Sequence, residues 1–363
     1  MIKSSNLLII GASVSSIFPI LLSNEKVTVI EKGKLFSRIL ISGNGRCNFF
    51  NENILKDNDI NKILLTEKEK SYPLNVLNYI INDLDISYYK DNDLYYPFFN
   101  RSECFYNPLI EKISKTDTEF IKGEAININP IKKEVTYNSN NKKEIIKYNK
   151  LLVTTGGFSY LYKQDYSLLN SLNIKINNFS PCLCPIVVKE KIPSFLTGLR
   201  IRGKVSLLIN NKEEYFEEGE VLFKKDGLSG IAIFNMSLKI NEYLRKNIKD
   251  IKLVIDYSSY NGFKNTSISS LPNQLISYLK EKKLNVNEKL TFTFSKLYPF
   301  KEAQTSFGGI SIDEINMSNL SLKKYKDIYV AGEVIDLNFK CGGYNIGYNM
   351  IEGYKIIKDI LKC

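Results

Sequence analysis

The sequence predicts an α/β fold in which a parallel sheet with flanking helices is interrupted by an inserted second domain. Three observations predict it. Short apolar runs at residues 6–10, 151–155 and 328–331 each run into glycine, at Gly11, Gly156-Gly157 and Gly332. Runs of that kind suit strands buried on both faces, and glycine at their carboxyl ends suits tight turns beside a ligand. A further run at 27–30 follows the first with a short helical segment between, a βαβ opening. Composition then shifts near Pro181 and returns to sheet-like runs only after about residue 304.

Taken in order, residues 6–10 give the first strand and residues 11–16 a turn of small residues. Residues 17–23 continue as a short helix, in which Pro19 is tolerated only near the first turn. The stretch 7–22 is apolar and follows Lys3, as a signal peptide would, but it is short for a membrane span and no small-x-small cleavage site follows. Residues 35–50 form a loop rich in Gly, Ser and Asn, and 52–92 alternate charged and apolar positions and are expected to be mainly helical. Residues 120–128 and 134–148 suit strands or hairpins, and 151–155 a buried strand. Between 181 and 304, strands are expected at 205–209, 253–257 and 290–294 and helices at 228–244 and 271–283. A terminal helix is expected from about 348 to 361.

Composition removes several chemistries. The chain has no His, which excludes Ser-His-Asp and Cys-His catalysis and every His-ligated metal site. Catalysis must rest on carboxylates, Tyr, Lys, Cys or a cofactor, and no metal is expected. The six Cys (Cys47, Cys104, Cys182, Cys184, Cys341 and Cys363) form no CxxC pair, so a reduced, cytoplasmic setting is expected. The net charge of +11 fits a polyanionic partner, nucleic acid before membrane; it equally fits a coding bias, since Lys, Asn and Ile are abundant and Trp is absent.

Four motifs carry chemistry. The first is Gly11-Ala-Ser13-Val-Ser-Ser16, with Glu31 twenty positions beyond Gly11. A dinucleotide turn places glycines where backbone approaches pyrophosphate and an acid at the second strand's end for ribose hydroxyls. Here Ser13 and Ser16 replace two of the glycines, so an ordinary βαβ turn competes with that reading. The second is Arg38-Ile-Leu-Ile-Ser42-Gly43-Asn44-Gly45-Arg46-Cys47-Asn48. Its two glycines suit a backbone anion nest, and Arg46 a phosphate or acid. Cys47 beside Arg46 either has thiolate character or is a small buried hydrophobe. The third is Val153-Thr-Thr155-Gly156-Gly157-Phe-Ser159-Tyr160, and the fourth is Tyr329-Val-Ala331-Gly332-Glu333-Val-Ile-Asp336 followed by Gly342-Gly343-Tyr344-Asn345. Two sheet edges so far apart in sequence are what one elongated cofactor needs.

These motifs resemble, in order and over nearly the whole chain, those of the YhiN/BaiN-like flavoproteins. That family carries an E-K strand end, an L-I-S-G-G-G-R-C-N loop, an A-T-G-G-x-S-Y segment, a G-E-x-L-F-T-H-x-G-x-S-G segment and A-G-E-V-x-D with G-G-Y-N. Here they become Glu31-Lys32, Leu40 to Asn48, Thr154 to Tyr160, Gly219 to Gly230, and Ala331 to Asp336 with Gly342 to Asn345. The departures are the serines of the first turn, a segment one residue short before Leu40, a reduced stretch at 161–165, and Lys224-Lys225 in place of Thr-His.

The resemblance implies a Rossmann-type FAD-binding domain from 1–180 and 305–363 with an inserted β-barrel-like and helical substrate domain at 181–304. It implies FAD contacts from Gly11, Ser13, Ser16, Glu31, Lys32, Arg38, Ser42, Gly43, Gly45, Arg46, Asn48, Thr155, Gly156, Gly157, Gly332, Glu333, Asp336, Gly342, Gly343, Tyr344 and Asn345. Family members act on small molecules as reductases or an amine-type oxidase. One branch, the expected one here, reduces a uridine of large-subunit ribosomal RNA to dihydrouridine, with NAD(P)H as reductant. Hydride reaches C6 of an unstacked uracil and a protein acid protonates C5. Cys47 is the first candidate acid, Tyr344 the second and Cys341 the third. Two features favour that branch: the charge surplus and a coding bias that suggests a small, AT-rich genome. Basic residues for RNA are expected in the insert at Lys224, Lys225, Arg200 and Arg202, with Lys239, Arg245 and Lys246.

Overall fold

The computed structural model describes residues 3–159, 165, 167–258 and 271–362. Tyr160 of the third motif, residues 161–164 of the reduced stretch after it, and Cys363 lie outside the described residues. The chain divides into two compact units: Met1–Gly157 with Lys163–Phe179 and Gly308–Cys363, and Phe158–Tyr162 with Ser180–Phe307.

The first unit is built on the strand Lys3–Ile10, whose last four residues are buried. It pairs in parallel with Val27–Glu31 on one side and with the end of Lys142–Val153 on the other. Thr118–Lys122 adds in parallel beyond Val27–Glu31, and Ile328–Val330 beyond Lys142–Val153. The order is therefore third, second, first, fourth, fifth, the doubly wound arrangement in which chain direction reverses beside the first strand. That reversal lies between Ile10 and Val153, which are register partners. Lys142–Val153 serves two purposes. Its first half closes an antiparallel hairpin with Glu134–Ser139, and its last three residues are fully buried in the parallel sheet.

Helices cover this sheet. The terminal helix Tyr344–Ile360 buries most of its length, and a buried ion pair fastens it: Lys355 Nζ donates to Glu69 Oε2 at 2.9 Å and to the Leu64 carbonyl at 2.5 Å. The opening helix Ile17–Leu22 has Pro19 in its first turn, where no intrahelical bond is lost. Residues 52–92 are mainly helical, as expected, but in several short pieces, among them Asn58–Leu64 and Tyr72–Asn78, which Tyr79–Asp83 continues, before the strands Tyr88–Asp91 and Leu94–Pro97. One segment differs from the sequence reading. Residues 37–41 are a helical turn, Ser37–Ile41, within the expected loop.

In the second unit six strands close a barrel: Ile186–Val188, Gly227–Ser229, Lys212–Phe223, Arg200–Ile209, Ile251–Asp256 and Leu290–Leu297. Closure removes exposed edges, and alternate residues such as Val205, Leu207, Val221, Phe223, Leu253 and Phe292 fill its core. The helices Ile231–Arg245 and Asn273–Lys282 pack on that core through Met236, Ile240 and Leu279. Among the described residues no helix is long and apolar enough to cross a membrane.

Candidate functional site

The carboxyl edge of the parallel sheet gathers motifs one, two and four, with the glycines of motif three. Gly11 follows the first strand at φ +94°, and a Cβ there would stand 2.7 Å from the Thr154 carbonyl oxygen. Only glycine fits, because the Thr154 backbone closely approaches it at the end of the first and fourth strands. Thr154 Oγ1 donates to the Gly11 carbonyl at 2.5 Å, so this buried threonine, not the exposed Thr155, ties motif three to motif one. The carboxylate of Glu31 accepts from Ala12 N at 2.8 Å through one oxygen and from Gly33 N at 2.6 Å through the other. Each oxygen keeps a lone pair for a further donor.

The turn continues as Val14–Ser16, where Ser16 Oγ donates back to the Ser13 carbonyl at 2.8 Å. That local bond closes the turn that glycines close in the usual pattern. Ser15 was not anticipated from the sequence. Its Oγ is buried without a partner in the structure, 2.7 Å from where a Cβ on Gly332 would lie. A buried, unpaired hydroxyl at a ligand turn marks a place where a polar group belongs.

The second motif forms a tight, exposed loop. Gly43, Asn44 and Cys47 are left-handed, with φ +55°, +55° and +57°, and Gly45 has φ +82°. Ser42 Oγ donates to the Ile39 carbonyl, and Cys47 N donates to the Ser42 carbonyl at 3.1 Å. Cys47 is fully buried, and burial pushes its thiol up to about 12 against the lowering effect of Ser42. The thiolate reading of Cys47 is therefore corrected: it is an enclosed neutral thiol, because desolvation outweighs the Ser42 contact. Arg46 is exposed and lies over the Tyr96 ring, 5.4 Å from its centroid. Arg38 is exposed on the turn before the loop. Lys32 is exposed and pairs with Glu124 at 3.1 Å.

The fourth motif meets the second across nearly 300 residues. The Asn48 amide accepts from Gly343 N at 3.2 Å and donates to the carbonyls of Phe50 and Tyr95. Asn51 Nδ2 donates to the Gly342 carbonyl at 2.7 Å. Gly343 has φ +81°, and a Cβ on it would lie 2.6 Å from the Asn48 side-chain amide. Asn345 Nδ2 donates to the carbonyls of Phe339 and Lys340, bracing the same loop. Asp336 accepts from Asn177 Nδ2 at 2.7 Å and Gly308 N at 3.2 Å, which makes it a brace within the first unit. Glu333 is half-buried.

Gly332 N donates to Glu352 Oε2 at 2.6 Å, and burial raises that carboxyl to about 7. Tyr344 is half-buried, with its hydroxyl near Asn53, and burial raises its pKa so the phenol stays protonated at neutral pH. Thr155 is exposed, Gly156 and Gly157 are partly exposed, and a Cβ on Gly156 would meet nothing within 4 Å.

In the barrel unit two expected RNA contacts are already engaged. Lys224 pairs with Glu302 at 2.5 Å and lies over the Tyr298 ring. Arg200 pairs with Glu220. Both cations are paired, because acidic residues line the neighbouring segments. Lys239 likewise pairs with Glu242. Lys225 and Arg202 are exposed.

The donor set at the sheet edge fits a dinucleotide. It offers a carboxylate fixed for ribose hydroxyls, an unpaired hydroxyl at the first turn and exposed left-handed backbone at residues 43–45. The profile of the HI0933-like protein Rossmann domain matches residues 5–358. The chain belongs to this family. Its members are FAD-dependent oxidoreductases.

A protein named ribosomal RNA dihydrouridine synthase from Escherichia coli K12 is 22% identical over 98% of this chain and 97% of its own length. A protein named 3-dehydro-bile acid delta(4,6)-reductase from Clostridium scindens is 24% identical over 52% of this chain and 55% of its own. Among solved structures, a 3-ketosteroid delta1-dehydrogenase from Sterolibacterium denitrificans has a TM-score of 0.53 at 8% identity, over 99% of this chain and 100% of that one. At that identity the likeness concerns the fold alone.

Proposed function

We propose that this protein reduces a uridine of large-subunit ribosomal RNA to dihydrouridine, with NAD(P)H as the source of reducing equivalents. The observation that carries the reading is the end-to-end similarity to the E. coli protein of that name, which spans both units rather than the dinucleotide unit alone. The charge distribution supports it. Residues 180–307 hold 20 of the 50 Lys and Arg against 13 of the 39 Asp and Glu, so over half of the net charge lies in the barrel unit. Lys225 and Arg202 are its candidate phosphate contacts.

Glu31, the 11–16 turn with Ser15, the 42–46 loop and the Gly342-Gly343 turn are the residues that would hold FAD. Bound flavin supplies the hydride chemistry. The protein must supply one proton, to C5 of the uracil, and Tyr344 Oη is the proposed donor. A neutral phenol that stays protonated at pH 7 and reaches solvent on one side can pass a proton and regain it. Cys47 has no such access, since it is enclosed on every side.

The test is nucleoside mass spectrometry of large-subunit RNA incubated with FAD-loaded protein and NADH or NADPH. Dihydrouridine at a defined position is the expected result. Its absence from naked, fragmented and assembled RNA alike refutes the reading. The bile acid reductase similarity favours a second reading, reduction of a conjugated enone in a small molecule. NAD(P)H consumption with a steroid dienone in the same assay, without dihydrouridine, selects it.

A further inference from the structure

The strand Leu94–Pro97 ends in a tip that displays two aromatic rings. Phe98 is 58% exposed and Phe99 74%, and their rings meet edge to face at 5.4 Å. The tip is held rigidly. Phe98 N donates to the Ser87 carbonyl at 2.9 Å, and Asn100 N to Pro97 at 2.8 Å. Ser102 N donates to the Gly45 carbonyl at 2.7 Å, which joins the tip to the loop that carries Arg46. In the same hairpin, Tyr96 stacks on Tyr89 at 5.5 Å with ring planes 16° apart, and Arg46 lies over Tyr96. Arg101 follows, exposed, and residues 94–102 contain no acidic side chain. Alternating aromatic faces and arginines match the two features of an unpaired nucleic acid strand, base faces and phosphates.

We infer that the Phe98-Phe99 tip, with Arg46 and Arg101, is a stacking platform for single-stranded RNA that holds the strand on either side of the target base. The inference rests on the proposed RNA substrate. A membrane surface is disfavoured because two rings give little apolar area and the second aromatic layer is covered by arginine.

The experiment measures anisotropy of a labelled single-stranded oligoribonucleotide with FAD-loaded protein, beside a duplex control, for wild type, Phe98→Ala/Phe99→Ala and Phe98→Leu/Phe99→Leu. Flavin content, dihydrouridine yield, oligomeric state and flotation with anionic phosphatidylglycerol vesicles are read in parallel. The wild type is expected to prefer the single strand. Both variants should bind it about tenfold or more weakly with flavin content unchanged, because leucine keeps the apolar area but not the ring face. If the wild type forms dihydrouridine and both variants bind RNA as it does, the platform is refuted while the substrate reading stands. If single-strand binding depends on the two rings but no dihydrouridine forms, the platform stands and the reaction does not. Full binding by the leucine variant overturns stacking. Vesicle flotation or a change of oligomeric state with unaltered RNA binding assigns the tip to lipid or to a second copy, and overturns the inference.

Discussion

Replacing Glu352 with Gln isolates a buried titration beneath the ligand turn. Glu352 is 1% exposed and has one hydrogen-bond donor facing it, the Gly332 N–H at 2.6 Å. Burial lifts its pKa from 4.5 to about 7. The folded protein therefore keeps this proton up to about pH 7, while the unfolded chain releases it near 4.5. Between those values the folded state binds more protons, so stability falls as pH rises; above about 7 the two states titrate alike and the loss is complete. The gap of about 2.5 units corresponds to about 3 kcal/mol at 1.36 kcal/mol per unit. Glu352→Gln removes this slope and adds only a pH-independent offset from the extra amide N–H. Urea unfolding of both proteins, followed by circular dichroism at pH 5 and pH 8, is the assay. Because pH 5 already lies above the unfolded value, the variant should gain about 2.5 kcal/mol on the wild type between the two pH values. A difference that does not change with pH refutes the reasoning and places water or a second donor beside the carboxyl.

Four further outcomes follow from particular contacts. Glu31→Ala should weaken FAD binding by about 1–3 kcal/mol, read as a flavin dissociation constant, with loss of the acceptor for Ala12 N and Gly33 N; unchanged affinity would make Glu31 a brace for the turn and nothing more. Tyr344→Phe should lower dihydrouridine formation about 100- to 10,000-fold while Cys47→Ala retains it; the reverse pattern returns the proton to Cys47. Lys225→Glu with Arg202→Glu should flatten the log–log salt dependence of RNA affinity by about 0.7 per lost contact, and an unaltered slope moves the phosphate contacts elsewhere. Lys355→Met should cost about 3–5 kcal/mol in unfolding free energy, because it strands the Glu69 carboxylate; a near-neutral effect would mean that water reaches Glu69.

Local pattern made the parallel sheet legible. Apolar runs at 6–10, 27–30 and 328–331 suit strands buried on both faces, and an insert with its own strands and helices was legible after Pro181; that it forms a barrel came from the family resemblance and is a property of the folded strands. The spacing from Gly11 to Glu31 located the turn and its acid, since both are fixed by one βαβ unit. Contacts between distant segments were another matter. Nothing near Asn48 or Asn51 shows that they fasten Gly342-Gly343, or that Thr154 rather than Thr155 reaches Gly11. The terminal helix begins at Tyr344, four residues before its expected start, because Gly343 is held there by Asn48. The same is true of charge. Lys224 and Arg200 are cations in sequence, and only folding brings Glu302 and Glu220 against them. Cys47 beside Arg46 suggested an ionised thiol, and tertiary burial made it a neutral one. Periodicity reports which face of an element is dry, a local property written every two to four residues; protonation and partnership depend on what the fold places opposite that face.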